Sequence, residues 1–88
     1  MTPFLKLTAA REFMGLPPLI SVKELKKKYK ELSKIMHPDK GGDVENMQTL
    51  IESYTLILEY MENYRFRLDE EEITAQFPYE DYKKRFRF

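Results

Sequence analysis

The 88-residue chain has no cysteine, which excludes a disulfide scaffold and any thiolate metal site. It has one histidine, His37, too few to supply the clustered ligands on which zinc sites are built. No metal and no cofactor is therefore expected. Long apolar runs are also lacking. The stretch 1–16 is broken by Lys6, Arg11 and Glu12, so it does not read as a secretory leader, and no segment is long enough to span a bilayer. A soluble protein with no membrane partner is expected, and the cytoplasm is the expected compartment.

Net charge is also missing: 15 basic residues balance 15 acidic ones. The distribution is nevertheless uneven. Lys23, Lys26, Lys27, Lys28, Lys30 and Lys34 crowd one segment, and no Lys or Arg lies between Gly41 and Tyr64. A chain of this length with 42% hydrophobic residues builds one small domain with a thin core.

What the chain does have is organised around Met36-His37-Pro38-Asp39-Lys40-Gly41-Gly42-Asp43. Pro38 lacks an amide hydrogen and biases His37 away from helical angles, and the two glycines permit left-handed backbone, so a helix must stop here. Asp43 is placed to cap the next one. Before this loop, Ser21-Val22-Lys23-Glu24 fits the capping-box pattern and starts a helix near Val22. Val22, Leu25, Tyr29, Leu32 and Met36 make its apolar stripe, and Lys23, Lys26, Lys27, Lys30 and Lys34 lie away from it. The plain reading of those lysines is a solvated face. Glu24 with Lys28 and Glu31 with Lys34 add helix pairs of about 0.2–0.5 kcal/mol each.

After the loop, Met47, Leu50, Ile51, Tyr54, Ile57, Leu58 and Met61 form one side of a further helix. Glu45, Gln48, Glu52, Thr55, Glu59 and Glu62 form the other. A connection this short makes the two helices antiparallel neighbours with facing apolar stripes. Upstream, Thr8 is read as the cap of a short helix through Phe13 and Met14 that ends at Gly15 and is barred from resuming by Pro17-Pro18. Its apolar residues Phe4, Leu5, Leu7, Phe13, Leu16 and Leu19 are assigned to packing. Downstream, Asp69-Glu70-Glu71-Glu72 suits a helix start, and Pro78 suits the opening of a last turn through Tyr79, Tyr82 and Phe86. Tyr64-Arg65-Phe66-Arg67-Leu68 and Lys84-Arg85-Phe86-Arg87-Phe88 alternate with the period of a strand. Helix is favoured for this tail, since two such short strands would make a marginal sheet.

A lysine-faced helix, then His37-Pro38-Asp39-Lys40, then an antiparallel helix containing Glu52-Ser53-Tyr54 closely resembles the J domain of DnaJ-like co-chaperones, over about Thr8 to Tyr64. The resemblance implies an all-α fold, an antiparallel hairpin with a short N-terminal helix, taken as a domain over residues 1–64; residues 65–88, beyond the resemblance, are read as a helical extension packed on or beside it. It implies a co-chaperone, not an enzyme, that binds a seventy-kilodalton heat-shock chaperone in its ATP state and stimulates its ATP hydrolysis. The family's essential tripeptide carries over to His37, Pro38 and Asp39. Its basic docking face carries over to Lys26 and Lys30, with Tyr29 beside them and Lys27 as a lesser contributor.

The pattern departs from the family in three places. Glu31 stands where a second basic residue often follows the Tyr-Lys pair, Ile35 where a lysine is common, and Met47 where a phenylalanine is usual. Two alternatives follow from the residues. One is a degenerate J domain kept as an interaction scaffold, which Glu31 keeps open. The other is a nucleic-acid-binding helical module, using Lys26, Lys27, Lys30 and Lys34 on phosphates and the interleaved Arg65, Arg67, Lys83, Lys84, Arg85 and Arg87 with Tyr64, Phe66, Phe86 and Phe88 on single strands. Zero net charge and the acidic side of the third helix argue against the latter. A further protein partner for the C-terminal extension is left open. Hydrolysis by His37 and Asp39 themselves is not expected, because no nucleophile with an oxyanion site accompanies them.

Overall fold

Thr2 begins the first helix. Its hydroxyl accepts the Leu5 amide at 3.2 Å, and Pro3 follows where no amide hydrogen is needed, giving α1 over Pro3–Met14. The computed structural model describes residues 2–76. The expected cap at Thr8 is thus a correction: Thr8 lies inside the helix, because Thr2 and Pro3 already supply the start signal. Gly15 ends α1 as expected, at φ 65°. The Gly15 amide donates to the Glu12 carbonyl at 3.1 Å and the Leu16 amide to that of Arg11 at 3.0 Å, a Schellman closure in which only glycine avoids strain. The Arg11 guanidinium adds a bond to the Leu16 carbonyl at 3.2 Å.

The capping box forms as read. The Glu24 amide donates to the Ser21 hydroxyl at 3.1 Å and the Ser21 amide to the Glu24 carboxylate at 3.2 Å, opening α2 over Val22–Met36. Asp43 accepts the Glu45 amide at 3.2 Å and opens α3 over Val44–Glu62. Asn63 closes α3, its side-chain amide donating to the Glu59 carbonyl at 2.8 Å.

α3 is the central element. Both α1 and α2 pack along it, and they touch each other only lightly. Met14 from α1, Leu25 from α2 and Leu50 from α3 meet in full burial, joined by Ala10, Leu16 and Ile57. The stripe read on α2 is buried or half-buried throughout, and on α3 only Ile51 turns outward. Tyr29 and Tyr54 tie the two helices together, their rings stacked at 4.1 Å and 11°.

Three residues assigned to packing are exposed: Phe4, Leu5 and Leu19. At about 100° per residue, Leu7, Ala10 and Met14 share a narrow arc of α1, with Phe4 roughly 60° outside it and Leu5 nearly opposite. Leu19 lies in the loop before α2 and is 89% exposed. The helix pairs Glu24–Lys28 and Glu31–Lys34 are not formed, and Glu24 is engaged by Ser21 instead.

The tail is partly as expected. Asp69 accepts the Glu72 amide at 2.9 Å and opens α4 over Glu70–Gln76. Residues 64–68 are neither helix nor strand, which corrects the preference for helix across that stretch. Among the described residues no strand lies beside them, so their alternation has nothing there to pair with. Arg67 closes locally on Asp69, at 2.9 and 2.6 Å. The final turn through Tyr79, Tyr82 and Phe86 and the alternating stretch 84–88 lie outside the described residues. Within them the fold is all-α, as expected.

Candidate functional site: the His-Pro-Asp tip of the hairpin

His37 both ends α2 and starts the next turn. Its extended angles, φ −61° and ψ 132°, are those imposed on a residue before proline. Its amide still reaches back to the Ser33 carbonyl at 3.0 Å, while its own carbonyl accepts two amides, Lys40 at 2.9 Å and Gly42 at 3.1 Å. A single 3-10 turn over Pro38–Lys40 results, closed by the Gly41 amide on the Pro38 carbonyl at 3.1 Å.

The imidazole is part of this frame. His37 Nδ1 accepts the Asp39 amide at 3.2 Å, which in the neutral ring leaves the proton on Nε2. The same nitrogen stands 3.7 Å from Asp39 Oδ2. The two side chains stay open to solvent, His37 at 52% and Asp39 at 87%. A carboxylate so presented is a ready acceptor for a partner's guanidinium, and a backbone held by four internal bonds loses little freedom on binding.

The adjacent glycines have different tasks. Gly41 sits at φ 85°, a left-handed conformation. Gly42 does not, yet a Cβ on it would collide with the Met36 carbonyl and come within 2.8 Å of the Met36 Cα. The chain therefore passes directly against the end of α2. Left-handed freedom at both positions is the expectation from sequence; close approach at Gly42 is legible only in the fold.

Lys26, Lys27 and Lys30 are all exposed on α2. At 1.5 Å per residue Lys30 lies about 10 Å and Lys26 about 16 Å from His37 along the axis, so the basic face leads up to the loop. On a helical projection Lys23, Lys26, Lys30 and Lys34 share an arc of about 80°, with Lys27 at its margin and Glu31 roughly 60° past Lys34. Tyr29 is placed differently from the other assigned contact residues: it is half-buried by its stack on Tyr54. Ile35 is 68% exposed. Ser53, in the Glu52-Ser53-Tyr54 run, is buried, a position no periodicity singled out. Among the described residues no group of acidic or histidine side chains is placed to hold a metal ion, and no helix is long and apolar enough to cross a membrane.

The helical hairpin with its His-Pro-Asp tip resembles a J domain, and the comparisons with known proteins point the same way. Over 46 residues, 52% of this chain, the sequence is 41% identical to chaperone protein dnaJ 3 and 39% identical to chaperone protein dnaJ 2, both of Arabidopsis thaliana. It is 41% identical to DnaJ protein homolog ANJ1 of Atriplex nummularia over the same length. The matched segment spans 11% of each of these relatives. No protein-family model and no solved structure matches the chain. The resemblance to the J domain of DnaJ-like co-chaperones, first read from the loop and its flanking helices, is borne out by these relatives.

Proposed function

We propose that this chain acts as a co-chaperone: it binds a seventy-kilodalton heat-shock chaperone in its ATP state and stimulates ATP hydrolysis there, without being an enzyme itself. The cytoplasm is the compartment proposed for it. The observation that carries this reading is the His37-Pro38-Asp39 turn, braced by its own backbone and by the His37 ring so that the Asp39 carboxylate projects into solvent. The lysine arc on α2 brings an acidic partner surface to that carboxylate. Charge of this kind speeds encounter and fixes orientation, although each exposed pair adds little affinity. Stimulation requires more than binding, since a contact shifts a partner only if it favours one of its two states. Asp39 bonded to a partner arginine in one state alone meets that requirement.

The test is single-turnover ATP hydrolysis by such a chaperone, with wild type and Asp39→Asn compared after circular dichroism shows both folded. Stimulation by wild type and its loss in the variant is the expected result. Stimulation by both would sink the role given to Asp39. Stimulation by neither, across several chaperones, would favour the scaffold reading.

A further inference from the structure

The His-Pro-Asp tip and the lysine arc leave one large feature without a task. At the far end of α3 the chain forms a groove of about 1200 Å³, walled by Leu19 and Ile20 before α2, Tyr60 and Tyr64 at the end of α3, and Phe66 and Leu68 beyond it. Its apolar lining is open to solvent: Leu19 is 89%, Leu68 83% and Phe66 75% exposed. Tyr60, Tyr64 and Phe66 form a run of rings, with centroids 5.9 and 5.5 Å apart. A contiguous apolar surface of this kind marks a place where something docks.

Three observations point to what docks there. Gln76, the last described residue, itself lines the groove, so the chain continues from the groove's own wall. The 12 residues that follow, 77–88, hold five aromatics: Phe77, Tyr79, Tyr82, Phe86 and Phe88. Fully extended they reach about 40 Å, more than enough to cross the groove, and tethering gives them an effective concentration on the order of millimolar. Charge is complementary as well. Glu70 and Glu72 of α4 line the groove, and Lys83, Lys84, Arg85 and Arg87 fall within the tail.

We propose that residues 77–88 of the same chain seat in this groove, their aromatic side chains covering Leu19, Tyr60, Tyr64 and Phe66 and their basic run facing Glu70 and Glu72. This inference stands apart from the chaperone partner proposed above.

The chain has no cysteine, so one appended after Phe88 in the full chain takes a nitroxide label without competition. In the 15N-labelled protein the amides of Leu19, Tyr60 and Phe66 are expected to broaden beyond detection, while those of His37 to Gly41, at the other end of α3, stay sharp. Leu19→Asp, at a side chain that packs on nothing else, is expected to leave the circular dichroism unchanged and restore the lost signals. Absent broadening, equal broadening at both ends, or broadening that survives Leu19→Asp would overturn the proposal. A mixture of spin-labelled unenriched chain with unlabelled 15N chain tests for a second copy. Broadening found there as strongly as in the single-chain sample would overturn it in favour of a dimer.

Discussion

Gly41 and Gly42 stand side by side in the loop and are required for different reasons, one for its backbone angles and one for the space its missing side chain leaves. Gly41→Ala meets no neighbouring atom but must hold φ 85°, so a loss of about 1–2 kcal/mol is expected in urea denaturation, with the loop otherwise intact. Gly42→Ala drives a methyl group into the Met36 carbonyl. The loop must then move, so Gly42→Ala is expected to shift the amide resonances of residues 36–43 and to reduce chaperone stimulation more than Gly41→Ala does. Equal stimulation by the two variants would show that the loop position seen here is not what the partner reads. His37 was legible as the residue that halts α2, because proline follows it. That its ring also accepts the Asp39 amide was not, since this depends on a χ angle that no spacing encodes.

The elements themselves were largely readable, and the reason is local chemistry. Ser21 with Glu24, Asp43, Gly15 and Pro38 each act within a few residues of themselves, so their signals survive without tertiary context. Removing the α2 cap with Ser21→Ala is expected to cost about 1 kcal/mol, checked by the shift in urea midpoint. The misreadings share the opposite cause. Thr8 is as good a cap residue as Thr2, and Pro3, directly after Thr2, decides between them. Phe4, Leu5 and Leu19 are apolar, but whether an apolar residue is covered depends on the reach of a neighbouring helix. The stack of Tyr29 on Tyr54 joins two residues 25 positions apart. A double-mutant cycle with Tyr29→Leu and Tyr54→Leu is expected to give a coupling of about 0.5–1.5 kcal/mol. A coupling near zero would return Tyr29 to the role of a surface contact.

For the molecule as a whole, zero net charge conceals a basic face on α2 and an acidic face on α3. Stimulation is therefore expected to fall as ionic strength rises, since exposed charges lose their reach beyond about 10 Å at 0.1 M salt. Lys26→Glu with Lys30→Glu is expected to flatten that salt dependence while leaving the fold unchanged by circular dichroism. Glu31 lies outside the lysine arc, so Glu31→Lys is expected to raise stimulation by no more than about fivefold, the equivalent of ~1 kcal/mol for one exposed charge. A much larger gain in the ATPase assay would show that the native chain is held back by this residue, as the sequence first suggested.

The central position of α3 also has a consequence for the birth of the protein. α1 and α2 both leave the ribosome before the surface they pack on, and they offer each other little. At about 5–20 residues per second, roughly 2–10 s separate the emergence of Met14 from that of Glu62. Through that interval Met14, and Leu25 once it has emerged, remain uncovered, so a protein proposed to assist a chaperone begins its own existence as a chain that a chaperone can bind.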